Sequence, residues 1–173
     1  MAVTSHLYPN AALKWSPSAV ASPTNCINPV NDTFAAGLVT GSAASWTATQ
    51  WAYVFISSII TAYTEVSTGG GYTSGWANRQ ALTTFTFAVT GTANINMWTC
   101  TAPSPISFGA STTITAAAMF IYDKTAPTNP NTTDANSWAI WISDFGGNVV
   151  STAGAFTYTV ASTPNGLAYW TCN

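Results

Sequence analysis

The residues able to do chemistry in this chain are few enough to take one by one. There is one histidine, His6, and five carboxylates, Asp32, Glu65, Asp123, Asp134 and Asp144. General acid–base or nucleophilic catalysis needs titratable groups within hydrogen-bond reach of one another. His6 stands among the first residues, beside Pro9, away from any Ser or Cys set into a recognisable motif. A glycosidase needs two carboxylates about 5–9.5 Å apart across one cleft. Asp123 and Asp144 follow consecutive strand candidates and are the one pair with a chance of meeting, yet aspartates at strand ends ordinarily cap turns. The reading is therefore that the chain has no catalytic residues. One histidine, three scattered cysteines and separated carboxylates offer no ligand spacing of the zinc or EF-hand kind, so no metal is expected. The Gly69–Gly71 run lacks the Lys-Ser/Thr that completes a phosphate loop, and no cofactor is expected.

Cys26, Cys100 and Cys172 cannot all pair within one chain. The tripeptide Trp-Thr-Cys occurs at 98–100 and again at 170–172, which suggests two neighbouring strands presenting thiols to each other. Set against that disulfide is the plainer reading of small buried apolar side chains in a reducing compartment.

Charge is the next constraint. Three Lys+Arg and five Asp+Glu make up 5% of 173 residues, where ordinary domains run at about 25%. A surface of Ser, Thr, Asn, Gly and Ala lacks the repulsion that keeps solitary proteins apart, so association is favoured. Only Lys14, Arg79 and Lys124 are available to meet phosphates, and the net charge is −2, so nucleic acid is excluded as a partner. No window approaches the roughly 18 consecutive apolar residues of a membrane span. The first nine residues have neither a basic nor a continuous apolar region of the secretory kind, and the expectation is a soluble protein made in a cytoplasm.

The elements that must position these residues are mainly β. Four prolines, at 9, 17, 23 and 29, punctuate residues 1–31, where no helix persists and any strand is an edge. This segment reads as an extended arm on a neighbouring surface, with Tyr8, Leu13, Trp15, Val20 and Ile27 as its candidate interface residues. Residues 32–173 read as one domain. A strand is expected near Phe34–Val39, and Trp51, Val54, Phe55 and Ile59 fall at the spacing of a short helix, although the β-branched content of the run also suits a strand. Ala81, Thr83, Phe85, Phe87 and Val89 alternate as a strand, with Thr90-Gly-Thr92 as a hairpin connection to Ile95–Trp98. Further strands are expected near 114–122, 138–145, 154–160 and 167–172. The fold class is mainly β: an antiparallel β-sandwich or barrel of about seven strands, with the N-terminal arm and at most one short helix.

Five ordered segments carry a resemblance. They are Asp32-Thr-Phe-Ala-Ala-Gly-Leu-Val-Thr40, Glu65-Val-Ser-Thr-Gly-Gly-Gly-Tyr-Thr-Ser-Gly75 leading into Gln80-Ala-Leu82, Ala118-Met-Phe-Ile-Tyr-Asp-Lys-Thr125, Ile142-Ser-Asp-Phe-Gly-Gly147, and Gly154-Ala-Phe-Thr-Tyr-Thr-Val160. In that order they resemble a family of small β-rich virion structural proteins of tailed bacteriophages, the head decoration and minor structural proteins. The chain departs from the pattern at Gly75-Trp76, where paired glycines are usual, in the strand after Asp32, which lacks a lysine, and in its scarcity of charge. Residues 1–31 and the Trp-Thr-Cys end lie outside the match. The resemblance implies a non-enzymatic virion component with no catalytic residues to carry over.

Together these readings make a capsid decoration or cement protein the leading expectation. Its partners would be the major capsid protein and copies of itself, a trimer being one arrangement, and its location the virion. A tail or head–tail connector component is the alternative within the class. The rival from another class is a carbohydrate-binding module, in which some of the eight tryptophans would form a row of exposed rings; the competing reading buries them in cores and interfaces.

Overall fold

A computed structural model of the chain describes residues 4–7, 27, 32–41, 55–82, 86–92, 95–101, 106–109, 113–125, 133–159 and 168–172. Among these are eleven strands and one helix. The main sheet is built on β2 (Phe34–Thr40), β8 (Ile114–Asp123) and β9 (Ala139–Ser151), which pair antiparallel in the order β9-β8-β2. One edge is closed by β1 (Thr4–Leu7) on β9. The other is shared by β3 (Thr64–Glu65) and β4 (Gln80–Leu82), which pair with different parts of β2. A separate three-stranded sheet has the order β11-β6-β5, from β5 (Thr86–Thr92), β6 (Ile95–Thr101) and β11 (Ala168–Cys172). The pair β7 (Ile106–Phe108) and β10 (Phe156–Tyr158) forms a third. Every pairing is antiparallel, and none of the three sheets closes into a barrel among the described residues.

The central strands are buried on both faces. Ala116 to Asp123 of β8 and Phe34 to Val39 of β2 are buried without alternation. Such runs mark strands sandwiched between layers, and small residues such as Ala35, Ala36 and Ala116–Ala118 let those layers approach. Helix α1 (Ile56–Ala62) buries Ile56 and Ile59 at i, i+3 and ends where Tyr63 donates its N–H to the Ile59 carbonyl, 2.8 Å. Residues 51–54, which the helical spacing also included, lie outside the described residues.

Several local expectations are redrawn. The run read as one strand over 81–89 divides: Gln80–Leu82 joins the main sheet and Thr86–Thr92 the three-stranded one. Thr90-Gly-Thr92 is strand rather than turn, because the register pairs Thr92 with Ile95 and so carries the ladder through all three residues. The Asp144-Phe-Gly-Gly147 segment is not a strand end. It is a bulge inside β9: Ala118 pairs with Asp144 and Ala116 with Val149, so residues 145–148 face Ala117 alone. Gly146, at φ 74°, supplies the left-handed backbone there, and the Asp144 carboxylate accepts its N–H at 2.7 Å.

The two Trp-Thr-Cys tripeptides do lie on neighbouring strands, since Trp98 pairs directly with Trp170. Antiparallel register then sends the cysteines to opposite ends: Cys100 pairs with Ala168 and Cys172 with Asn96. Four residues of offset at about 3.3 Å each separate their Cα atoms by about 13 Å, well beyond the roughly 7 Å limit for a disulfide. The suggested Cys100–Cys172 bridge is thus excluded by register.

Candidate functional site: a buried arginine between two carboxylates

Three of the chain's charged side chains converge at the β2 edge of the main sheet. β3 delivers Glu65, and the Gly-rich segment 66–78 returns the chain to Arg79, the residue immediately before β4. The third member, Asp134, comes from the turn before β9. Helix α1 fixes that turn, because its first N–H groups, of Ile56 and Ser57, donate to the carbonyls of Ser137 (3.0 Å) and Asp134 (3.1 Å). Helix starts leave such donors in need of acceptors, and here the loop supplies them.

The Arg79 side chain is wholly buried and every guanidinium nitrogen is engaged. Nε and Nη2 donate to Glu65 Oε1 (2.7 Å) and Oε2 (2.8 Å), a parallel two-bond fork. Nη2 also reaches Asp134 Oδ2 at 3.0 Å, and Nη1 donates to Asp134 Oδ1. The planar cation lies 5.2 Å from the ring centres of both Phe120 and Tyr122. Burial opposes its charge, but the hydrogen bonds and charges of Glu65 and Asp134 outweigh that and hold the proton more firmly than in water.

Glu65 is equally engaged. Its Oε1 accepts from Tyr72 Oη (2.9 Å) and the Gly75 N–H (3.2 Å) as well as from Arg79. Burial pushes its carboxyl up, yet the Arg79 hydrogen bonds and charge, with Tyr72 and Gly75, bring it below the ordinary carboxylate value. Tyr72 spans the gap between β3 and β4: its hydroxyl accepts the Leu38 N–H at 3.1 Å while donating to Glu65. Burial, then the Glu65 charge, raise its phenol well above the ordinary value. Tyr122 donates to the Trp76 carbonyl (2.9 Å) and is pushed up to about 12, first by burial.

A tight backbone makes room for this cluster. A Cβ on Gly37 would stand 2.4 Å from Phe120 Cζ and 3.0 Å from Arg79 Cδ, so only glycine fits there. The rim is Trp76, whose Nε1 donates to Ser137 Oγ (2.7 Å) and whose ring carries Lys124 Nζ at 4.5 Å. Burial and the nearby Arg79 charge lower the Lys124 ammonium.

The arrangement is a closed ion triad with a net charge of −1. An arginine does not exchange its proton near neutrality, and both of its carboxylate partners are clamped on it. What it does is tie the 66–79 segment and the 133–137 turn to the sheet.

The other chemistry-bearing residues are dispersed. Asp123 Oδ1 accepts the Thr125 N–H at 2.6 Å, and Asp144 caps Gly146 as described. Asp144 lies opposite Ala118, five residues along β8 from Asp123, or about 16 Å at strand spacing. The two therefore do not flank one cleft, and the one carboxylate pairing weighed from sequence is not formed. No group of three or more His, Cys, Asp or Glu side chains able to hold a metal occurs among the described residues. Trp138 and Trp141 are both buried, with Trp141 Nε1 donating to Ser143 Oγ at 3.0 Å, so neither joins an exposed row of rings.

Of the interface residues expected on the N-terminal arm, Tyr8, Leu13, Trp15 and Val20 lie outside the described residues. Ile27 does not line a surface: it is fully buried in the chain's own core. Residues 4–7 likewise belong to the chain's own sheet.

Sequence reasoning names Glu65, Arg79 and Asp134 singly but does not join them. The available signal is arithmetic: an Arg placed between an apolar β segment and a Gly-rich loop, in a chain this poor in charge, needs carboxylates. Comparison with protein-family models, curated proteins and solved structures yields no match for the chain.

Proposed function

We propose that this chain is a non-enzymatic structural protein of a tailed-phage virion, acting as a capsid decoration or cement protein on the major capsid lattice. The observation that carries the reading is the direction of its charges. Seven of the eight charged residues are described, and none is exposed: Asp32, Arg79, Asp123 and Asp144 are buried, and Glu65, Lys124 and Asp134 are partly buried.

The described surface is left to neutral side chains such as Thr33, Thr61, Ser67, Thr68, Thr73, Asn78, Gln80 and Asn148. Repeated, dense association is where such a surface is useful, because it forms hydrogen bonds and apolar contacts without stripping water from ions. The order of segments resembling virion structural proteins supports the same reading.

Particles banded from a culture that produces the chain provide the test, with the chain followed by peptide mass spectrometry. It is expected to co-band with the capsid and stay bound at roughly 1 M sodium chloride, where the Debye length falls to about 3 Å. Guanidinium, which weakens apolar burial, is expected to release it. Absence from the particles overturns the virion reading. Steep release by salt alone overturns the neutral-interface argument.

A further inference from the structure

We propose that β1 is an exchangeable strand: residues Thr4–Leu7 of one copy add to the Trp141–Asp144 edge of β9 in a second copy, in the register they occupy within one chain. The slot and its complement are both defined. Thr4, Ser5, His6 and Leu7 pair with Asp144, Ser143, Ile142 and Trp141, and apart from β1 this length of β9 is the edge of the main sheet among the described residues. A bare edge is a template for any strand of matching register, and the best-matched strand available to a copy is the same four residues of another.

The connection allows it. Between Leu7 and the buried Ile27 lie the nineteen residues 8–26, with prolines at 9, 17 and 23. Fully extended they reach about 60 Å, against about 40 Å for the diameter of a domain of this length. A tether of this length holds its own β1 near the slot at an effective concentration in the millimolar range. A neighbour in a packed assembly reaches similar concentrations, and no exposed charge among the described residues opposes its approach. Reciprocal exchange between two copies makes a closed pair with identical contacts.

The inference deepens the assembly reading above and rests on it for the crowding that favours exchange in place. Its test is made in solution, so the two fail separately. In a background of Cys26→Ala, Cys100→Ala and Cys172→Ala, one preparation carries Ser5→Cys and another Ser143→Cys. Paired Cα atoms in an antiparallel ladder are about 4.5–5.5 Å apart, within disulfide range. The two are mixed in denaturant, refolded together at high concentration and oxidised. A covalent heterodimer linked through positions 5 and 143, rising in yield with protein concentration, is the expected result.

A mixture that stays monomeric while the double variant Ser5→Cys/Ser143→Cys closes within one chain overturns the proposal. Ser143 Oγ also meets Trp141 and Tyr158, so Thr4→Cys with Asp144→Cys repeats the experiment at the adjoining position should the first variant fail to fold. Failure of both pairs to cross-link in any arrangement overturns it as well, since the β1–β9 register is then wrong.

Discussion

The two edges of the main sheet are closed in opposite ways. At the β2 edge, β3 and β4 each cover part of the strand, and the gap between them is filled by particular groups. Leu38 donates its N–H to Tyr72 and accepts the Val66 N–H at 3.0 Å, and the Glu65–Arg79–Asp134 triad lies alongside. At the β9 edge, four residues of β1 supply a backbone ladder. The first closure is specified by side chains that no generic strand reproduces. The second is specified by register, which another copy of the chain reproduces in full. A polar network thus binds an edge to its own chain, whereas a short ladder leaves an edge open to exchange.

The sharpest way to break this comparison is to remove the hub of the first edge. Arg79→Met leaves Glu65 and Asp134 as neighbouring carboxylates without their cation, and taking one partner from a buried ion pair costs about 3–5 kcal/mol. Against a typical total stability of about 5–15 kcal/mol, that moves the urea midpoint far down. Arg79→Lys is expected to recover little, because an ammonium cannot fork to two carboxylates and lie flat on two rings at once. A loss below about 1 kcal/mol for Arg79→Met would mean that the triad is dispensable and the two edges are alike.

Next in size is Gly37→Ala. The new methyl meets the Phe120 ring at 2.4 and 2.9 Å and the Arg79 stem at 3.0 Å, and overpacking of this kind costs about 1–3 kcal/mol. Phe120→Leu in the same chain should return part of the loss by withdrawing the ring. Additive losses in the urea midpoints would show that Gly37 serves some other purpose.

How far these features are legible from sequence differs between the edges in the same physical way. Backbone ladders follow from short apolar runs bounded by turn residues, so β2, β8 and β11 are expected near their true positions, as is a short helix reaching Ile59. The triad depends on the 65–79 segment and the 133–137 turn meeting at Arg79, which lies over Phe120. Spacing along the chain says nothing of contacts 55 residues apart, such as Arg79 with Asp134. The β9 bulge is hidden for a related reason: Gly146-Gly147 reads as a turn, and only the pairing of Ala116 with Val149 shows the strand continuing beyond it. The prolines around Ile27 suggest an arm and so place that residue on a surface. Burial of one apolar side chain within such a segment has no periodicity to announce it.

A pH profile sharpens the comparison at smaller amplitude, because the groups it reads, Glu65, Tyr72 and Tyr122, belong to the first edge. The folded state holds Glu65 below its ordinary value, so its contribution is fully present above about pH 4.5 and is lost as pH falls through the folded value. Tyr122 is raised from 10.0 to about 12, and Tyr72 is raised in the same direction. Their contribution is fully present below about pH 10 and is lost as pH rises through the folded values. Urea midpoints should accordingly fall below about pH 5 through Glu65 and above about pH 10 through the tyrosines, with Lys124, lowered in the folded state, working the other way and offsetting part of the alkaline fall. Tyr122→Phe should flatten part of the alkaline fall and leave the acid side as it was. An alkaline limb unchanged in that variant would remove Tyr122 from the account.

The smallest effect is expected at the second edge, and its smallness is the point. Each ladder hydrogen bond contributes about 1 kcal/mol net, while ordering a residue costs about 1–2 kcal/mol of backbone entropy. A four-residue strand bonded, among the described residues, on one side gains little beyond what its ordering costs. Deleting residues 1–7 should therefore lower stability by about 1 kcal/mol or less and leave β2 and β8 intact. Hydrogen exchange reads this residue by residue: in the full chain, amides of β1 should exchange through local opening, and those of β2 and β8 through global unfolding. Amides of β1 as slow as those of β8 would show a strand locked in its own chain. The second edge would then be held as firmly as the first, by a device other than buried charge.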